Sequence, residues 1–253
     1  VPGGIEMRFA NKNVIVTGAS SGIGKEVATR IAREGGQVII FDINEVGAAE
    51  LMKEIPEKID FVKVDLGNSA GLIKAIENVN EKYQKIDVLI NVAGIIAQGA
   101  FENTTLDEWN RVMSINLTAV YVLCNKCFRI MKENKYGRIV NVSSIAAKRG
   151  GGGLGNSIYA TSKAGVIGLT KAIAREGGPY GIACNAVCPG YTLTPMTKEL
   201  PDEFQTQAIS SIALRRAAKP EETAAVICFL ASDDASYVTG EITDADGGVM
   251  LDG

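Results

Sequence analysis

Residues 14–26 read Val-Ile-Val-Thr-Gly-Ala-Ser-Ser-Gly-Ile-Gly-Lys-Glu, an apolar run that breaks into a glycine turn and reopens as a periodic segment. The run 14–17 has the β-branched content of a buried strand, and 23–34 has the spacing of a helix. Between them Gly18, Gly22 and Gly24 are spaced G-x3-G-x-G, with Ser20, Ser21 and Ile23 in the gaps. Glycine at a strand-to-helix turn permits tight backbone angles and lets main-chain N–H groups approach an anion at the helix N-terminus. The same alternation continues outward from this unit. Strands are expected at 37–42, 61–64, 87–91, 138–142, 182–187 and 241–243, and helices at 45–55, 69–83, 105–132 with one break, 159–176 and 220–230. Near-continuous apolar strands alternating with helices imply an α/β fold whose parallel sheet is covered on both faces. Two segments lack periodicity: 150–155, rich in glycine, and 190–212. Both follow strands at the carboxyl edge of the expected sheet, where ligands bind, and are expected to wall a pocket.

The rest of the composition narrows the function. The chain has 253 residues, 46% of them hydrophobic and 22% charged, with 26 basic and 29 acidic side chains for a net charge of −3. One domain can absorb this length, and residues 7–253 are read as a single domain. Residues 1–6 have no pattern and read as a cloning remnant ahead of a native start at Met7. No long run of one charge resembles a phosphate-tracking surface, so nucleic acid is not an expected partner. No apolar stretch spans a bilayer and no secretory leader is evident, so a cytoplasmic protein without a membrane partner is expected. The chain contains no histidine at all, which removes Ser-His-Asp and Cys-His nucleophiles, histidine metal sites and imidazole proton shuttles together. Cys124, Cys127, Cys184, Cys188 and Cys228 lie in apolar periodic segments, and Cys124-x2-Cys127 sits inside a helical run where zinc pairs normally occupy a turn. No metal is expected.

Two constellations carry chemistry. Asp42 ends the second strand, 24 residues after Gly18, where a carboxylate can accept from both hydroxyls of an adenosine ribose and repel a 2′-phosphate. This favours NAD over NADP, and neither Ser21 nor Ile43 offers a compensating positive charge. A reading of Asp42 as the N-cap of the next helix competes with it. Further on, Tyr159 and Lys163 stand four apart at the start of a helix and share one face. Free tyrosine ionises near pH 10, so a phenol needs a cationic neighbour to serve as a base at neutral pH. At about 4 Å and an effective dielectric near 20 one ammonium contributes up to about 4 kcal/mol before desolvation subtracts. Ser144, chosen over Ser143, ends the fifth strand and can donate to a substrate oxygen.

Taken together, the glycine turn, Asn91-Val92-Ala93-Gly94, Asn116, Ser144, Tyr159-x3-Lys163 and Pro189-Gly190-x3-Thr194 resemble the short-chain dehydrogenase/reductase family, over essentially the whole chain from Met7. The resemblance implies a single-domain doubly wound Rossmann fold with seven parallel strands in the order 3-2-1-4-5-6-7. It implies that Tyr159 is the general acid/base, that Lys163 lowers its pKa and binds the nicotinamide ribose, that Ser144 polarises the substrate oxygen, and that Asn116 holds a water continuing the proton relay. It further implies that Asp65 and Leu66 lie beside the adenine, that Asn91, Ala93 and Gly94 line the cofactor, and that Pro189, Gly190, Thr192 and Thr194 contact its nicotinamide end. The family expectation is a homotetramer packed through the long helix from Thr105 and the Tyr159 helix. Ser144 lies 15 residues before Tyr159, slightly more than is usual, with the excess in the 150–155 loop. The expected activity is interconversion of a secondary alcohol and a ketone with NAD. A 3-oxoacyl thioester reductase and a non-catalytic NAD-binding protein are the alternatives. Ile95, Ile96, Ile145, Leu154, Tyr191 and Met196 are the expected walls of an apolar substrate pocket. Cyclic, steroidal, acyl, polyol and sugar-acid substrates all remain open.

Overall fold

A computed structural model describes residues 7–151, 155–198 and 200–251. Residues 1–6 and Leu154, each given a reading above, lie outside this set. The parallel sheet runs β3 (Ile59–Lys63), β2 (Gln37–Asp42), β1 (Asn13–Thr17), β4 (Val88–Asn91), β5 (Gly137–Val142), β6 (Ile182–Pro189), β7 (Ile242–Ala245). This is the expected order. Alternate strand residues point to opposite faces. Val14, Val16, Val38, Ile40, Val88 and Ile90 enter one core with α1 (Gly22–Arg33) and α10 (Pro220–Ala231). Ile15, Ile39, Phe41, Leu89 and Ile139 enter the other, with α3 (Ser69–Tyr83), α5 (Ala119–Asn134) and α7 (Ser157–Gly177). Each such buried aliphatic contributes about 1.5–3 kcal/mol by leaving water, which explains why the strand readings held on both faces.

Boundary differences have local causes. β3 starts at Ile59, two residues before the expected 61, because the chain turns early through Glu57 at φ +69° and Ile59 then pairs with Val38. α2 (Glu45–Glu54) is capped by Asn44, whose side chain accepts from Gly47 N; Asp42 is not the cap. The expected break in the long helix is a π turn, Ser114–Thr118, joining α4 (Leu106–Met113) to α5 without interruption. Ser144 caps a short helix that periodicity could not reveal, α6 (Ile145–Arg149), which ends at Gly150 with φ +79°. The segment 190–212 also holds two short helices, α8 (Pro195–Lys198) and α9 (Asp202–Ser210). Their signals were present in Pro195 and Pro201, each at a helix start. β1 and β4 are neighbours although sequence places β2 and β3 between them. The chain therefore reverses direction across the sheet here, and a crevice opens at the carboxyl ends of these strands.

Candidate active site

At that edge lies a cleft of about 370 Å³. Its floor is the turn after β1. Thr17 Oγ1 accepts from the backbone N–H groups of Val92 and Ala93, both at 3.1 Å, and so locks this turn to the one after β4. The approach is close enough to demand glycine. Gly18 has φ +67°, and a Cβ there would stand 2.9 Å from Ala93 Cα. A Cβ on Gly24 would come within 2.2 Å of the Gly18 carbonyl oxygen. Ser21, the residue before α1, makes no side-chain cap and the first turn holds no acidic group. The uncapped amides of α1 thus open on a glycine floor, which fits a pyrophosphate.

Asp42 borders the cleft with both oxygens fixed, Oδ2 accepting from Ser20 N and Oδ1 from Asn44 N, each at 3.0 Å. Each oxygen keeps a second lone pair. Ile43, Val64, Asp65 and Leu66 continue this wall. Lys63, paired in register with Asp42, has its Nζ 3.1 Å from Glu45 and stands outside the lining. These residues fit an adenosine whose ribose hydroxyls donate to a carboxylate. Ser20 and Asn91 do not line the cleft. Ser20 acts through its amide, and Asn91 is buried in the sheet, donating to Asn141 Oδ1 at 2.8 Å.

The opposite end gathers Ser144, Tyr159 and Lys163. Asn156 caps α7, accepting from Ile158 N and Tyr159 N, while its own N–H reaches Ala97 O at 2.8 Å. That cap fixes where the phenol enters. Ser143 turns inward, donating to Lys163 O at 2.8 Å, whereas the Ser144 hydroxyl bonds the Tyr159 phenol and lowers its pKa. Burial acts more strongly and pushes the phenol upward overall. Lys163 Nζ stands 6.0 Å from the Tyr159 ring centroid and donates to Val142 O at 2.8 Å. Burial lowers its own pKa to about 8. Gly94 gives it room, since a Cβ there would lie 3.2 Å from Nζ and 3.3 Å from Asn116 Oδ1.

Asn116 sits fully buried in the π turn, off the lining. Its side chain is spent on Ile95, accepting from N and donating to O at 2.9 Å each, and on the Ser162 hydroxyl. It therefore braces the chain after β4 against the helix. Tyr191 corrects the expectation of a substrate wall: it packs with Ile212 and Ala217 and faces a separate cavity beside β7. The step after Gly190 alternates, sending Thr192 and Thr194 to the cleft and Tyr191 away from it. Ile145, the first residue of α6, is likewise off the lining. Pro189, Gly190, Thr192, Thr194 and Met196 do line it, as do Gly18, Ser21, Gly22, Ile23, Gly24, Ala93 and Gly94. Ile115 and Thr197 were missed. Ile115 lines the cleft from within the π turn, and Thr197 from α8, its Oγ1 donating to Thr192 O at 2.6 Å.

This geometry, a glycine-floored crevice at one end and a serine-tyrosine-lysine group at the other, is matched by known proteins. Residues 18–250 match the family model described as enoyl-(acyl carrier protein) reductase. The chain belongs to the short-chain dehydrogenase/reductase family. It is 41% identical to a 3-oxoacyl-(acyl-carrier-protein) reductase of Thermotoga maritima, covering 97% of this chain and 100% of that protein. It is 37% identical to meso-2,3-butanediol dehydrogenase of Serratia marcescens, covering 96% of each. A crystal structure described as an NAD(P)-dependent gluconate 5-dehydrogenase from Beutenbergia cavernae, with NADP at low occupancy, superposes with a TM-score of 0.91 at 36% identity, covering 97% of this chain and 99% of that one. Members of this family are nicotinamide-dependent oxidoreductases, and this chain is one. Among the described residues no helix is long and apolar enough to cross a membrane.

Proposed function

We propose that the chain interconverts a secondary alcohol and a ketone, with NAD as the preferred cofactor. The observation that carries this reading is the single cleft bounded by Asp42 at one end and by Tyr159, Ser144 and Lys163 at the other. A bound nicotinamide supplies the hydride donor or acceptor, and its oxidised form adds a positive charge. The chain's own residues handle the proton. In reduction Tyr159 gives its proton to the oxygen of the carbonyl as that oxygen gains charge, and in oxidation the phenolate takes the proton from the alcohol. Ser144 donates to the same oxygen and fixes its position. Lys163, hydrogen-bonded to Val142 O, offers its remaining protons to the nicotinamide ribose. Asn116 keeps Ile95 and the adjoining turn in place, which supports a water-linked relay from Lys163.

The choice of NAD rests on Asp42. Its carboxylate would face a 2′-phosphate directly, and no cation lines that end of the cleft among the described residues. The NADP in the Beutenbergia neighbour belongs to that protein. The Thermotoga relative favours one second reading, a 3-oxoacyl thioester reductase. A homotetramer is supported by the apolar side chains left exposed at and before α4, Phe101 at 76% and Leu106 at 72%; light scattering after gel filtration tests it. The decisive experiment follows reduced-nicotinamide absorbance across a panel of alcohols and ketones with both cofactors. Turnover with an NAD preference is expected. Cofactor binding without turnover of any substrate would leave a non-catalytic nucleotide-binding protein.

A further inference from the structure

Beyond Ser144 and Tyr159 the cleft is walled by Ile95, Ile96, Ile115 and Met196. Lys163 is the one cation among the lining residues described, and it is committed: 4% exposed, with Nζ on Val142 O. The basic residues of the adjoining segments stay off the lining. Lys148 on α6 pairs with Asp244 at 2.7 Å, and Arg149 and Lys198 point to solvent. The residues of these segments outside the described set are Gly152, Gly153, Leu154 and Glu199, and none is basic. Among the described residues, the substrate end of the cleft therefore offers neutral hydrogen-bonding groups and no free cation to pair with an anion.

We infer, resting on the oxidoreductase reading above, that this site takes an uncharged carbonyl compound with apolar flanks and rejects substrates that carry a carboxylate on a flank of the reacting carbon. Two effects act together. A carboxylate entering between isoleucines sheds its hydration and gains no counter-charge. Its negative field also raises the Tyr159 phenol further, in the direction burial already drives it, and so opposes formation of the phenolate. Oxo acids and sugar acids are disfavoured on both counts. Simple ketones, hydroxyketones and 3-oxo esters are not.

The test compares methyl 3-oxobutanoate with 3-oxobutanoate, which share a skeleton and differ in charge, each reduced with NADH at neutral pH. Every turnover moves one hydride from the nicotinamide to the ketone carbon and one proton from Tyr159 to its oxygen, giving the 3-hydroxy product. The ester is expected to exceed the acid in kcat/KM by about 100-fold or more. A ratio within about threefold, or one favouring the acid, overturns the inference and leaves the oxidoreductase reading standing. Absence of reduction for any neutral ketone in a wider panel sinks both. A variant locates the cause. Met196 borders the cleft from α8 and is 53% exposed, so Met196→Arg is accommodated and brings a cation to the wall. It should lower the ester-to-acid ratio by about tenfold or more, chiefly through the KM of the acid. A ratio unchanged by this substitution overturns the assignment of selectivity to the apolar wall.

Discussion

The two halves of the cleft are built by different means. On the β1–β3 side the walls are backbone: glycines pressed against neighbouring turns, amides of α1 facing outward, and Asp42 held by two main-chain N–H groups. On the β5–β7 side they are side chains carried on short helices. α8 is tied by Thr197 to Thr192 and Thr194, and α6 by Lys148 to Asp244. A backbone wall admits one ligand shape and tolerates little change. A side-chain wall can be rewritten residue by residue without disturbing the sheet, which is how relatives of this chain at 36–41% identity come to bear such different names.

If that contrast is right, the largest single loss comes from the chemistry where the halves meet. Tyr159→Phe removes the proton donor and keeps the ring that packs on the cleft wall. It should cut kcat by about a thousandfold or more while the Kd for NADH stays within about threefold. Near-normal kcat would remove Tyr159 from the proton step. Next is the backbone wall itself. Gly24→Ala puts a methyl group 2.2 Å from the Gly18 carbonyl, so the start of α1 must move. A loss of about 1–3 kcal/mol in urea unfolding is expected, with NADH binding weakened roughly ten- to 100-fold. If Gly24→Ala binds NADH normally, the glycine floor is not what seats the cofactor. Asp42→Asn tests selectivity on the same side more gently: it removes the charge and keeps an acceptor for Ser20 N, at the cost of the bond accepted from Asn44 N. The NAD-to-NADP ratio of kcat/KM should fall about tenfold; an unchanged ratio would place the discrimination elsewhere.

The same contrast explains what could be read from the sequence. Strands buried on both faces and glycine turns under steric demand leave marks in residue type, so the elements on the β1–β3 side were legible, whereas the sheet order followed from the family resemblance. Asp42 was legible because strand length fixed its place at the sheet edge. The substrate side left weaker marks. α6, with five residues, is too short to show a period, and its cap, Ser144, was recognised for its chemistry and not its structural role. Tyr191 was misplaced because its side depends on how the chain leaves β6, which no periodicity records. The π turn is a third case: Asn116 was marked as important, yet nothing in the sequence tells a π turn from a helix, so the route of Ile115 into the cleft was invisible. The sequence did not give the surroundings of Lys163 either, since its burial and its bond to the Val142 carbonyl arise from the fold.

That lysine lies at the junction and gives the smallest effect, readable from stability alone. Burial lowers its pKa from an ordinary 10.5 to about 8. The unfolded chain then holds the proton more tightly than the folded one, so stability rises with pH between about 8 and 10.5, and below 8 the full cost of burying the ammonium is present. Lys163→Met removes the titration and, at every pH, the bond to Val142 O. The lost bond adds a constant to the difference between wild type and variant, and that constant drops out when the difference is compared at two pH values. Between pH 8 and 9 that difference should shift by about 1 kcal/mol in favour of the wild type. A flat difference would mean that the ammonium is not penalised by its surroundings. It would then remain fully charged at the pH of catalysis, available to pull the phenol down without help from the nicotinamide. A rising difference means that burial does penalise the ammonium; with a pKa of about 8 it still carries most of its charge at neutral pH, and the charge of an oxidised nicotinamide would add to its pull on the phenol.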